Sequence, residues 1–143
     1  MKPFSLETVL KYRNRLEDIA KNRLFEAQTE RQQVQDKLTE EQTNYANLVE
    51  TLNRLQSEGI EILEHIRYED KIQFSKNRIV AIKKTLAEKT ARVVVERELL
   101  IQRGKERKIM EKLKEKQNIA WREYLDKKEA AMLDEIAIIF HNK

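Results

Sequence analysis

The chain has 143 residues, with 29 basic and 25 acidic side chains, two Gly, one Pro and no Cys. So few turn formers argue against a compact fold of many elements, and 38% charged residues fit long solvated helices or a coiled coil. The missing Cys excludes disulfides and thiol chemistry and removes the usual ligands of a structural zinc site. Disorder is the rival reading of so much charge, but 40% of residues are apolar and they are periodic. No apolar run approaches the roughly 18 residues of a membrane span. No secretory leader pattern opens the chain. The expectation is a soluble cytoplasmic protein.

The first periodic stretch follows Pro3, which bars a helix from extending further back. Ser5 has the chemistry of an N-cap, and Phe4 and Val9 the spacing of a hydrophobic staple. From Leu6 a seam advances by alternating steps of three and four: Leu10, Arg13, Glu17, Ala20, Leu24, Ala27, Arg31, Val34, Leu38, Glu41, Tyr45, Leu48, Leu52, Leu55. That period of 3.5 is the coiled-coil repeat. The polar exceptions are long side chains that lay their stems along the seam. Gly59 stands where a left-handed residue closes a helix. These signals predict helix one over about 5–58 and a turn region over about 59–68.

Helix two is predicted over about 69–140. Ile72, Ile79, Ile82, Leu86, Val93 and Leu100 share one seam, which then drifts toward Met110, Leu113, Ala120 and Tyr124, a stutter that would locally unwind a supercoil. "ARVVVERELL" has strand-like valines, overruled by its helical register. Gly104 reads as a tolerated weak point costing about 1 kcal/mol relative to Ala. Residues 1–71 carry 11 basic and 14 acidic side chains, and residues 72–143 carry 18 and 11, so the halves complement each other. The fold expected is all-α: a long antiparallel two-helix coiled-coil hairpin, a single domain over 1–143, with an overhanging C-terminal helix end. With the turn centred near residue 63, Phe4 faces roughly Trp121 and Arg122. The helix beyond is rich in apolar residues, including Tyr124, Leu125, Met132, Leu133, Ile136, Ile138, Ile139 and Phe140. Uncovered apolar surface marks a binding site. Both chain ends are therefore expected at one tip, forming one partner surface.

Catalytic chemistry is not expected. His65 and His141 lie far apart, no Gly-rich phosphate loop occurs, and a two-helix hairpin has no pocket to shift carboxylate pKa values. "RGKERKIMEKLKEK", residues 103–116, holds seven basic and three acidic residues. Nucleic-acid or acidic-membrane binding is one reading. A solvated helix face laced with i,i+4 pairs is preferred, because acids interrupt the patch and no aromatic platform interleaves it. Tyr45 reads as packing. Tyr12 and Trp121 read equally as packing or partner contact. Tyr68 and Phe74 flank the turn as a cap for that end or a second partner surface.

"FSLETVLKYRNRLEDIA", through Phe4, Leu6, Glu7, Val9, Leu10, Tyr12 and Arg13, resembles the opening of the flagellar type III export protein family called FliJ. "KLKEKQNIAWREYLDKKEAAMLDEIAIIF", with Asp134, Glu135, Ile136 and Ala137, is similar to that family's ending. The resemblance implies a non-enzymatic component of the flagellar type III protein export apparatus, without cofactor or metal. Such proteins form an antiparallel coiled coil like the central stalk of rotary ATPases. They associate with the hexameric export ATPase, the export-gate membrane protein and export chaperones. The resemblance places the chain in flagellum biogenesis and motility, in the cytoplasm at the flagellar base, reaching the inner membrane only through partners. The tip residues assigned to the ATPase ring are Phe4, Leu6, Leu10, Tyr12, Arg13, Trp121, Leu133, Asp134, Glu135, Ile136 and Phe140. The alternatives are an injectisome stalk homologue, a generic coiled-coil scaffold, and a nucleic-acid-binding hairpin, against which the charge pattern argues.

Overall fold

In a computed structural model, residues 6–142 are described. They form two helices, α1 (Glu7–Glu58) and α2 (Ile62–His141), packed against each other as an all-α helical hairpin. The Ser5 cap, the Pro3 stop and the Phe4 half of the staple lie outside the described residues. The turn is shorter than predicted: residues 59–61 suffice, and α2 begins at Ile62 rather than near 69. Gly59 takes φ +94°, the left-handed region that a side chain disfavours, and so ends α1 in one residue. The His65 N–H already donates to the Glu61 carbonyl at 2.9 Å, so helical bonding resumes at once. Residues 62–68 lack Gly and Pro, and nothing in them opposes helix.

The interior contacts fall into two compact units, Lys21–Glu98 and the pair of segments Met1–Ala20 with Leu99–Lys143. In the unit Lys21–Glu98, every expected α1 seam residue except Arg31 is at least half-buried, and Ala27, Leu38 and Leu52 are buried. Arg31 stays in solvent, while Glu30 beside it turns to α2. On α2, Val93 and Ser75 are the most deeply buried, at 2% and 1% exposure. Val94 and Val95 remain exposed, so the valine run offers one face to the seam and two to water, as a helix must. The register is fixed by cross-helix bonds: Glu41 accepts from Ser75 Oγ at 2.7 Å, Glu30 from Arg92 at 2.6 Å and Lys89 at 3.1 Å, and Gln56 lies 3.5 Å from His65. Paired residue numbers therefore add to 116–122, which centres the turn near residue 60.

In the other unit, Leu10, Glu17 and Ala20 are buried and Arg13 is half-buried. The α2 seam in this unit does not drift. Leu100, Arg103, Arg107, Met110, Lys114, Gln117 and Trp121, again at steps of three and four, are all partly covered. Leu113, Ala120 and Tyr124 are exposed. The predicted stutter followed the apolar residues, whereas here the seam positions are mostly cationic or polar and are held by acids on α1. Arg107 Nε donates to Glu17 Oε2 at 2.7 Å, Arg13 pairs with Glu106 at 3.0 Å, and Lys114 with Glu7 at 3.1 Å. Glu7 meeting Lys114 sets the register here, with paired numbers of 119–124.

Candidate partner-binding surface

After Trp121 every described residue is exposed, through Asn142. Why this stretch stays helical is local. It contains neither Gly nor Pro, and Ala130, Ala131, Met132 and Leu133 are strong helix formers. Trp121 closes the covered part of α2 and stacks on Tyr124, with ring centroids 5.6 Å apart and planes 24° apart. Beyond it Leu125, Met132, Leu133 and Ile136 line a shallow groove with Lys128 and Glu129. Phe140 continues the same side of the helix and is 71% exposed. Ile138 lies on the opposite side. Eight exposed large hydrophobic residues fall between Tyr124 and Phe140.

The residues assigned to one tip do not form one surface. Phe4 lies outside the described residues. Leu6 is half-buried and Leu10 is buried in the seam. Arg13 is held by Glu106 across the hairpin. Among the described α1 candidates only Tyr12 presents a largely free ring. The register sets Leu10 level with residues near 111, so Leu133 to Phe140 lie roughly 30–45 Å further along α2 at 1.5 Å per residue. Leu133, Asp134, Glu135, Ile136 and Phe140 are together on the tail, and Trp121 stands at its root. The expectation that both apolar ends merge assumed an overhang shorter than the one that a turn at 59–61 leaves. Lys128 and Glu129 were missed as groove residues, although their place between Leu125 and Met132 carried the signal.

Tyr68 and Phe74 lie on α2 away from the turn, about 9 and 18 Å past its first residue. Neither caps the hairpin end. Phe74 is exposed and lines a groove with Asn44, Leu48, Asp70 and Lys71. The Lys71 ammonium sits 5.4 Å over the Tyr68 ring, and the Arg78 guanidinium 6.0 Å from Phe74, so both rings carry a cation.

The basic run 103–116 divides. Arg103, Arg107 and Lys114 belong to the seam and its ion pairs, while Lys105, Lys108, Lys112 and Lys116 face solvent. Glu106 is held below its ordinary range, chiefly by Arg103. Arg107 is raised, chiefly by Glu17 and then Glu111. Among the described residues no group of three or more His, Asp or Glu could hold a metal ion. Among the same residues no helix is long and apolar enough to cross a membrane.

Fold and surface define an all-α helical hairpin whose second helix runs on, exposed, past Trp121. The chain belongs to the flagellar FliJ protein family, whose family model matches residues 1–143, the whole chain. It is thus a component of the flagellar export apparatus. No curated protein and no solved structure matches it.

Proposed function

We propose that the chain is a non-enzymatic stalk that couples the export ATPase hexamer to the export gate and to substrate chaperones, working in the cytoplasm at the flagellar base. The observation that supports this most is the tail: a helix continued past its own partner, with Leu125, Met132, Leu133, Ile136 and Phe140 uncovered. The inner wall of a ring is a natural cover for such a helix. Large apolar side chains contribute roughly 1.5–3 kcal/mol each on full burial, before the costs of association. The groove beside Phe74 is the surface offered to a second partner, the export gate or a chaperone.

The test is removal of residues 130–143. Residues 130–142 are exposed throughout and cover nothing in the hairpin, so the thermal melt stays nearly unchanged. Binding to the purified export ATPase, measured by titration calorimetry, falls tenfold or more. Unaltered affinity would remove the tail from the ring-binding reading. Leu10→Asp and Arg13→Glu are poor probes of the same surface, because they disrupt the seam itself.

A further inference from the structure

We propose that the tail pairs with the tail of a second copy of this chain, antiparallel and with twofold symmetry. Leu125, Met132 and Ile136, with Glu129 among them, follow one another at steps of four, three and four, which is a coiled-coil stripe without an intrachain partner. The stripe is self-complementary. Turned end for end, it sets Leu125 against Ile136 of the second copy and Met132 against Glu129 of the second copy, and the same two layers recur by symmetry.

The charges at the stripe's edge select this arrangement. Lys128 and Glu135 lie seven residues apart on one flank, a separation of about 10.5 Å that keeps them from pairing with each other. In an antiparallel pair equivalent flanks meet, so Lys128 comes beside Glu135 of the second copy, twice. In a parallel pair unlike flanks meet, so Lys128 would lie beside the uncharged Leu133 of the second copy and these attractive pairs would be lost. Glu129 is the one acid within the stripe and weakens the association, as a single polar residue at a core position does. The pairing and any other occupant of the tail exclude each other, since both cover Leu125, Met132 and Ile136. It does not depend on the ring reading.

Sedimentation equilibrium of the full chain over a range of concentrations tests it. A monomer–dimer equilibrium is expected, lost on removal of residues 130–143. Lys128→Glu and Glu135→Lys each turn two attractive pairs into repulsive ones, so association weakens by about tenfold. The double variant K128E/E135K restores it, and Glu129→Leu strengthens it. A chain that stays monomeric even as Glu129→Leu, a dimer that survives the deletion, or a double variant no better than the singles would each overturn the proposal.

Discussion

The two units of the hairpin solve one packing problem with different chemistry. Lys21–Glu98 closes its seam with Ala27, Leu38, Leu52, Ile72, Ile79, Ile82, Leu86 and Val93, and uses ions mainly around Glu30 and Glu41. Met1–Ala20 with Leu99–Lys143 closes it around Arg13, Glu17, Arg103, Arg107 and Lys114, with Leu10, Ala20, Leu100 and Met110 between. Hydrocarbon seams are stabilised by leaving water and tolerate salt. Ionic seams gain less per contact, because desolvation offsets attraction, and they depend on every partner being present. The tail is carried by the unit with the weaker glue.

The comparison breaks most visibly at Val93. It is 2% exposed, and Val93→Asp would bury a carboxylate without a partner. A loss of several kcal/mol is expected, or a local opening that avoids the burial. Circular dichroism should show a lower melting temperature and less helix. The same change at Val95, which is 61% exposed, should do little. Equal effects at the two positions would mean that this seam is misplaced.

The ionic unit breaks at Arg107. Glu17 is buried, and its carboxylate accepts from Arg107 at 2.7 Å, so Arg107→Ala weakens the hold on a carboxylate that has little access to water. A cost of about 1–3 kcal/mol is expected. Amide exchange should quicken in 7–20 and 99–121 and change little in 30–55. Exchange that quickens evenly along both helices would contradict a division into independently held seams.

That division was only half legible beforehand. Both helices, the seam of α1 and the stop at Gly59 followed from spacing and one residue's backbone freedom. Gly59, Leu38 and Val93 each state their role by type. The seam of α2 beyond Leu100 was not legible, because hydrophobicity pointed to Leu113 and Ala120 while geometry chose Arg107 and Lys114. Polar seam residues are recognisable only once their acids across the hairpin are known. The turn was placed too late for a related reason. Nothing local marks where helix two begins, and three residues of offset there shift every cross-helix pairing by about six in residue sum. The apolar tail was legible, but not its separation from Leu10 and Arg13.

Acid acts on both units without a mutation, and salt separates them. Glu30, Glu41 and Glu106 are all held below the ordinary value of 4.5, by Lys89 and Arg92, by Ser75, and by Arg103 respectively. A carboxylate depressed in the folded state contributes stability above its unfolded pKa and loses it as pH falls through the folded one. Stability should therefore be flat from neutrality down to about pH 4.5 and decline below it. Added salt at neutral pH should lower the protection of 7–20 and 99–121 more than that of 30–55, because exposed ion pairs are screened and buried leucines are not. Equal salt sensitivity in both units would dissolve the comparison.

The smallest expected effect is at Gly104, where the ionic unit is weakest by sequence. The residue lies inside α2 without breaking it and shows no left-handed backbone. Gly at such a site costs about 1 kcal/mol relative to Ala, through chain entropy alone. A Cβ built there would meet Glu17 Oε2 at 3.5 Å, an ordinary van der Waals contact, so a methyl fits without moving the α1 backbone. It would also take a little water from the Glu17 carboxylate, which tightens its dependence on Arg107. Gly104→Ala should thus stabilise the unit by somewhat less than about 1 kcal/mol, read as a small rise in melting temperature. The gain should shrink somewhat in an Arg107→Ala background, where the carboxylate has lost a cation and the methyl dries it further. Gly59→Ala is the control: nothing lies within 4 Å of its Cβ, yet φ +94° makes the change unfavourable. A gain of equal size with and without Arg107 would show that the methyl does not dry the Glu17 carboxylate, and the coupling argued between Gly104 and the ionic seam would be wrong.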